Sequence, residues 1–268
     1  MLPELFHIGP FVLRSYGLLL ALSFLIGLWL VHREAKVVGV DPDRAVNLGF
    51  VLILFGVIGG RLAYVLYHLR DFADQPWEVI NPFHTTGHFG IAGLNLQGGL
   101  IVGTLAGFVY LRRHRIRPLP ALDAVAPAVA FGIGLSRIGC FLNGCCFGTP
   151  TGAFCGVHYP PDAPAAIVFA GQAVHPTQLY SSVYGFLLFL VLSRVNRRHH
   201  WPGLTAGLFF MIEALFRFLI EPFRYYETEM WLSLAGLRVN YNQLIAVAMF
   251  VAGALLAWLP RRLRGKTP

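Results

Sequence analysis

The chain has 268 residues, of which 56% are hydrophobic and 13% charged, and its formal net charge is +8. Soluble domains carry about 25% charged residues, so this chain lacks the polar surface that a soluble fold of its length needs. The composition excludes an ordinary soluble protein and indicates that the excess apolar side chains face lipid.

Seven apolar stretches approach the ~20 residues that a helix needs to cross a bilayer. They predict an all-α, polytopic membrane protein with seven transmembrane helices, and the Ala- and Gly-rich fourth span is expected to pack inside the bundle. We expect a single integral-membrane domain over residues 1–268, with an outer, periplasmic, cysteine-containing segment at 139–176. The predicted spans are 12–31, 47–69, 92–111, 119–138, 177–194, 203–221 and 241–259.

Most of the basic residues follow the first, third, fifth and seventh spans, as Arg33, Arg112 and Arg194 do. Connections on the cytoplasmic side of a membrane carry an excess of Lys and Arg. The pattern therefore predicts an N-terminus outside and a C-terminus in the cytoplasm. It also explains the positive charge as membrane topology, so we expect the lipid bilayer as a partner and no nucleic acid.

Four arginines, Arg61, Arg137, Arg217 and Arg224, lie within or at the outer ends of the second, fourth and sixth spans. A charged side chain inside a bilayer costs on the order of 3 kcal/mol on insertion scales, so each needs a partner or a polar cavity. The alternative is that each guanidinium reaches the headgroups alone, and this alternative is strongest for Arg61.

The segment EALFRFLIEPFR carries Glu213, Arg217, Glu221 and Arg224 at spacings that place them on one face of a helix. The spacing predicts ion pairs between acids and arginines, which is the structural interpretation. Two arginines at headgroup depth also predict a phosphate clamp, because a guanidinium binds phosphate through two hydrogen bonds.

The stretch SRIGCFLNGCCFG at residues 136–148 ends the fourth span with Arg137, Asn143 and several glycines. Glycines let backbone amides approach a ligand closely. An arginine beside exposed amides predicts an anion site, and a phospholipid phosphate is the anion expected at this depth.

Four cysteines, Cys140, Cys145, Cys146 and Cys155, fall in the outer connection. Because that compartment is oxidising in bacteria with a periplasm, we expect one disulfide from Cys155 to Cys145 or Cys146. The alternative is a zinc site that includes His158, although the spacing is not a familiar zinc pattern. We expect no metal and no cofactor.

Further motifs occur in order along the spans, and together they resemble the bacterial prolipoprotein diacylglyceryl transferase family over nearly the whole chain. The SRIGCFLNGCCFG stretch is the most specific, and Asp123 falls where the family has an aspartate opening the fourth span. The other motifs are SYGLLLA at 15–21, GGRLAYVL at 59–66, NLQGGLIVG at 95–103, HPTQLYSS at 175–182 and RFLIEPFR at 217–224.

The resemblance implies transfer of the diacylglyceryl group of phosphatidylglycerol to the lipobox cysteine of preprolipoproteins. This is the first step of lipoprotein maturation, at the outer leaflet of the bacterial inner membrane, and it releases glycerol 1-phosphate. Arg137 and Arg217 would bind the phosphate, and His175 is the third candidate catalytic residue. The implied substrate-binding residues are Tyr16, Arg61, Gln97, Gly98, Gly99, Asn143, Gly148, Tyr180, Glu221 and Arg224, with Glu221 and Arg224 as a supporting ion pair.

The chain departs from the family pattern at Gln97, where a histidine is usual, at Cys140, where asparagine is common, and at Cys145, where glutamate is common. Glutamine cannot accept a proton at neutral pH. The base therefore stays open among Glu221, His175 and a base-free mechanism driven by the arginines. Two other functions stay open: a related membrane lipid transferase with a different acceptor, and a lipid-binding or transport protein without chemistry.

Overall fold

The computed structural model describes residues 4–8, 11–73, 76–79, 93–161, 163–198, 201–226, 231–234 and 237–264. The described part of the chain is mostly helical, with two short antiparallel hairpins, β1–β2 and β3–β4. Two 3₁₀ turns lie at Pro76–Val79 and Glu221–Phe223. In chain order the other elements are β1 Glu4–Ile8, β2 Phe11–Arg14, α1 Ser15–Val38, α2 Pro42–Tyr67, α3 Leu69–Ala73, α4 Leu96–Arg113, α5 Pro118–Asn143, α6 Pro164–Val168, α7 Thr177–Asn196, α8 Leu204–Ile220, β3 Trp231–Leu234, β4 Leu237–Asn240 and α9 Tyr241–Arg264.

Five of the described helices are long and apolar enough to cross a membrane: α1, α2, α5, α7 and residues Tyr241–Trp258 of α9. The other two predicted spans correspond to α4 and α8, which have 18 and 17 residues. Helices of that length reach about 27 and 26 Å, slightly less than the ~30 Å of a bilayer core. The third span was predicted to begin at residue 92, which lies outside the described residues. A helical membrane protein is thus confirmed, and the count of seven spans stays a prediction.

Large apolar side chains cover the outside of the bundle. Leu25, Leu54 and Val183 are 65%, 58% and 61% exposed. A soluble monomer rarely exposes so much contiguous apolar surface, whereas lipid tails solvate it without cost. The outward faces of the helices therefore agree with the membrane character indicated by the composition.

Helix α5 is the central element, and it packs against α1, α7 and α8. Its small residues permit this, because Ala124 and Ala130 are fully buried and a Cβ on Gly185 of α7 would lie 2.5 Å from the nitrogen of Gly134. Ser182 also donates to the Gly134 carbonyl at 2.8 Å. The prediction that the fourth span packs inside the bundle is confirmed.

Helix α2 pairs closely with α4 through glycines. A Cβ on Gly99 would lie 2.8 Å from the Gly56 carbonyl oxygen, and one on Gly59 would lie 2.6 Å from the Gly98 carbonyl oxygen. Side chains at these positions would force the helices apart. The glycines of GGR and QGG therefore allow close helix packing, as small residues do in membrane bundles.

A buried polar network joins α1, α5, α7 and α8 at one end of the bundle, and we call Glu34, Asp123, Asn196 and Thr205 the carboxylate network. Asn196 donates to a Glu34 carboxylate oxygen at 3.0 Å, and Thr205 donates to the Asn196 amide oxygen at 2.6 Å. Backbone N–H groups within 203–206 donate to Asp123 at 2.7 and 2.8 Å. Asp123 thereby satisfies amides that the start of α8 would leave without partners.

Candidate functional site

The ends of three sequence motifs meet through backbone hydrogen bonds. Gly148 donates to the His175 carbonyl at 3.0 Å, and His175 donates to the Thr149 carbonyl at 3.0 Å. Thr149 donates to the Phe223 carbonyl at 2.9 Å, and Gly148 pairs with Arg224 as an isolated β-bridge. The segments that follow α5, precede α7 and follow α8 therefore share one framework.

Gly148 lies in the tightest part of this framework. A Cβ there would lie 2.5 Å from the Phe223 carbonyl oxygen and 2.7 Å from both the Cβ and the carbonyl oxygen of His175. Those atoms belong mainly to the backbone and cannot rotate away. Gly148 thus acts first through close packing of the three segments.

Two residues at the start of α7 hold the cysteine-containing turn. Thr177 donates to the Cys146 carbonyl at 3.0 Å, and Gln178 donates to the Cys145 carbonyl at 2.8 Å. Both side chains are almost fully buried. Sequence reasoning chose two other positions of the HPTQLY motif and missed these, although two adjacent polar residues opening an apolar span were a usable signal.

The arginines of the site have different surroundings. Arg217 forms an ion pair with Glu213, with its Nε 2.8 Å from a carboxylate oxygen, as the helical spacing predicted. Among the residues that the structure describes, neither Arg137 nor Arg224 has a carboxylate within ion-pair distance. The Arg224 guanidinium lies 5.1 Å from the centre of the Tyr226 ring. Two positive charges at this end are therefore not neutralised by described acids.

Arg137 and Arg224 act on the same group. Hydrogen bonds with the Cys140 and Cys145 thiols lower the pKa of the Cys146 thiol, and the charges of Arg137 and Arg224 lower it further. Both arginines therefore favour negative charge at the turn that follows α5.

The positive charge of Arg217 acts together with that of Arg224 on a second group, the Tyr226 phenol. Burial raises the pKa of the Tyr226 phenol, while the positive charges of Arg224 and Arg217 oppose that rise. Arg224 therefore acts on Cys146 together with Arg137, and on Tyr226 together with Arg217. We call Arg137, Arg217 and Arg224 the arginine group.

The structure corrects the predicted ion pair between Glu221 and Arg224. Glu221 is buried and accepts hydrogen bonds from the Asn242 amide at 2.9 Å and from the Tyr226 hydroxyl at 3.3 Å. The predicted spacing assumed a continuous helix, but a 3₁₀ turn begins at Glu221 and Arg224 is extended, with φ −93° and ψ 144°. The two side chains therefore do not share a helix face.

The structure also corrects the predicted disulfide between Cys155 and Cys145 or Cys146, because all four cysteines are free thiols. The Cys155 thiol lies 3.1 Å from the Tyr180 hydroxyl, which in turn lies 3.3 Å from the His175 Nδ1. The outer motif thus forms a hydrogen-bonded chain of His175, Tyr180 and Cys155.

Tyr16 and Asn143, two of the implied substrate-binding residues, lie at the same end of α5 as Arg137. Tyr16 packs against Gly139, where a Cβ would lie 3.2 Å from the tyrosine ring. Asn143 is the last residue of α5, six residues after Arg137. Both residues therefore lie at the end of α5 that carries Arg137.

The other four implied substrate-binding residues have described contacts in a different part of the bundle. Arg61 donates to the Val79 carbonyl at 3.0 Å and to the Gly93 carbonyl at 3.4 Å. The glycine pair 98–99 packs on α2, and Gln97 lies in the first turn of α4. The described contacts of Arg61 therefore join α2 to Val79 and Gly93, in the segment that precedes α4.

An apolar cavity of about 320 Å³ lies between α1, α2 and α5. Its lining includes Phe24, Leu52, Val129 and Ser136, and Ser136 immediately precedes Arg137. The cavity therefore extends along α5 to the residue that precedes Arg137. This arrangement suits a molecule with an anionic head and an apolar tail.

The fold and the site define a helical membrane protein with two arginines that no described carboxylate pairs with, and with an apolar cavity that extends to the residue before one of them. The sequence model of the family described as prolipoprotein diacylglyceryl transferase matches residues 3–259. The chain belongs to this family, which confirms the resemblance found in the motifs.

Relatives named phosphatidylglycerol–prolipoprotein diacylglyceryl transferase occur in several bacteria. The chain is 34% identical to the protein of Photobacterium profundum over 99% of its own length and 95% of the relative. It is 34% identical to the protein of Geobacter sulfurreducens over 97% and 95% of the two lengths, and 32% identical to that of Clostridium tetani over 84% and 86%.

Proposed function

We propose that the chain transfers the diacylglyceryl group of phosphatidylglycerol to the lipobox cysteine of a preprolipoprotein and releases glycerol 1-phosphate. Its family membership and the names of its relatives support this activity. The backbone hydrogen bonds that join the three motif segments, with a β-bridge at Arg224, are the structural observation that carries it.

In this reaction the cysteine sulfur forms a bond to a glycerol carbon while the bond from that carbon to the phosphate oxygen breaks. The thiol proton leaves before or during the attack, and the departing phosphate monoester gains negative charge. The arginine group stabilises that charge, because fixed cations aimed at developing charge lower a barrier most effectively in a site of low dielectric. Arg137 and Arg217 would hold the phosphate directly, and Arg224 would add a third positive charge.

The acyl chains of phosphatidylglycerol would occupy the cavity between α1, α2 and α5. Its lining is almost wholly apolar, and Ser136 in that lining immediately precedes Arg137 in α5. A phospholipid bound this way keeps its tails among the helices and its phosphate beside the arginine group. Tyr16 and Asn143 would then contact the headgroup.

His175 is the base that the geometry favours. Glu221 is buried and already accepts two hydrogen bonds, which makes it a supporting residue. His175 is partly exposed, adjoins Gly148 and Phe223, and has its Nδ1 within 3.3 Å of Tyr180. Tyr180 would orient the ring and leave Nε2 available to the incoming thiol.

Expression of the chain in bacterial cells depleted of their own transferase tests the function. We expect restored growth and a lipoprotein whose mass increases by one diacylglyceryl group, and we expect neither with the Arg137→Ala, Arg217→Ala double variant. Accumulation of the folded protein without lipoprotein modification would contradict the proposal. That result would favour a transferase with a different acceptor, or a protein without catalytic activity.

We also propose seven spans, with the N-terminus outside, the arginine group near the outer leaflet and the C-terminus in the cytoplasm of a bacterial inner membrane. The basic residues after the first, third, fifth and seventh spans support this orientation. A reporter active only outside the cytoplasm should work when fused after residue 165 and fail when fused after residue 115. The reverse pattern would contradict it.

A further inference from the structure

Three thiols gather where α5 ends. Cys140 lies in the last turn of the helix, and Cys145 and Cys146 follow Gly144, which caps it with a left-handed φ of 73°. The three sulfur atoms all lie within 4.8 Å of one another. A metal–sulfur bond of about 2.3 Å places the sulfurs of one coordination sphere about 4 Å apart, so small side-chain shifts would complete such a sphere.

Hydrogen bonds from α7 hold the turn that brings the thiols together. Cys146 has a φ of 62°, in the left-handed region that a non-glycine residue rarely adopts. The buried side chains of Thr177 and Gln178 fix the carbonyls of Cys146 and Cys145. A strained backbone that persists because surrounding groups determine it is typical of sites that orient a functional side chain.

The chemistry of the cluster is uniform. Its members are all sulfur ligands, and His158 of the zinc alternative instead contacts the Gly171 carbonyl at 3.0 Å. Thiolates select soft ions such as Cu(I) and Zn(II). Structural zinc sites are almost always four-coordinate, whereas the cluster among the described residues offers three ligands. The donor set therefore favours Cu(I).

Charge favours the same interpretation. Three thiolates and one Cu(I) ion carry a net charge of −2. Arg137 lies one helical turn before Cys140 in α5, and Arg224 forms a β-bridge with Gly148, two residues after Cys146. Described acids do not neutralise these two arginines within ion-pair distance. They can therefore compensate the negative charge of a copper–thiolate centre.

We propose that Cys140, Cys145 and Cys146 bind one Cu(I) ion through three thiolates. The site lies beside the arginine group but consists of different residues. It does not depend on the proposed transferase activity, and its test measures binding alone.

The experiment titrates the full chain, reduced and purified in detergent under anaerobic conditions, with Cu(I) in the presence of a chromogenic Cu(I) chelator as competitor. We expect one equivalent of copper per chain, an ultraviolet thiolate-to-copper absorption band, and protection of three of the four thiols from alkylation. Cys155→Ser should retain the copper, whereas Cys146→Ser should weaken binding by at least about tenfold. Gln178→Ala, which releases a supporting contact, should weaken it by about 10–100-fold.

Failure of the native chain to compete for copper would overturn the proposal, and so would undiminished binding by the Cys140→Ser, Cys145→Ser, Cys146→Ser triple variant. A disulfide among the three cysteines would likewise overturn it, if it is found both in protein isolated without reductant and in native membranes. The native-chain titration keeps the test valid if a variant does not fold.

Discussion

The two ends of α5 have polar groups in opposite situations. Asp123 belongs to the carboxylate network, where it accepts two backbone hydrogen bonds and is buried. Arg137 lies 14 residues further, about 21 Å along the helix axis, without a described carboxylate partner. Buried polar groups with their partners in place stabilise the assembly of helices, whereas charges left uncompensated are available to a ligand. We propose that this difference separates the end of α5 that stabilises the bundle from the end that serves catalysis.

The largest effect is expected from Gly148→Ala. The added methyl would lie within 2.5–2.7 Å of atoms of Phe223 and His175, so the three segments around the arginine group would have to separate. We expect transfer to fall by more than about 100-fold and the segment after α5 to become sensitive to protease. Gly152→Ala is the matched control, because no atom lies within 4 Å of its Cβ position. Equal behaviour of the two variants would show that the framework is not needed.

Arg217→Lys tests whether Arg217 acts on phosphate or only as the ion-pair partner of Glu213. Lysine can keep an ion pair with Glu213, but a single ammonium cannot replace the guanidinium fork on phosphate. We expect roughly 100-fold slower transfer to a lipobox peptide from phosphatidylglycerol, with unchanged thermal unfolding. Activity close to that of the native chain would reduce Arg217 to a structural partner of Glu213.

Arg61→Ala should have the smallest effect on transfer, within about threefold, because its guanidinium bonds backbone carbonyls of Val79 and Gly93. Loss of these contacts should lower the free energy of unfolding by about 1–2 kcal/mol. The two measurements are the transfer rate and the thermal midpoint. A loss of transfer as large as that for Arg217→Lys would instead indicate that Arg61 takes part in the reaction.

Hydropathy and residue size allowed most of the helical architecture to be predicted. Long apolar stretches located the helices, and Ala and Gly identified α5 as an interior helix, because lipid and close packing both act on local composition. The ion pair of Arg217 with Glu213 was predictable for the same reason, since both lie within one regular helix.

Features that depend on where a helix ends were not predictable. The 3₁₀ turn at Glu221 redirects Arg224 and breaks the periodicity on which its pairing was based. The partner of Cys155 depends on a long connection folding back to Tyr180, and spacing alone does not encode such a return. The contact between Glu34 and Asn196 joins residues 162 positions apart, so it follows only from the assembled bundle.

We propose that the two ends of α5 serve different purposes, one catalysis and the other stability. Parallel measurement of Arg137→Ala and Asp123→Ala tests it most directly, with transfer normalised to folded protein and thermal unfolding recorded for each. We expect Arg137→Ala to lower transfer by about 10²–10³-fold with its unfolding unchanged. Asp123→Ala should lower the free energy of unfolding by about 2 kcal/mol, while transfer per folded molecule stays the same. Near-normal transfer by Arg137→Ala, or loss of stability equal to that of Asp123→Ala, would contradict the account.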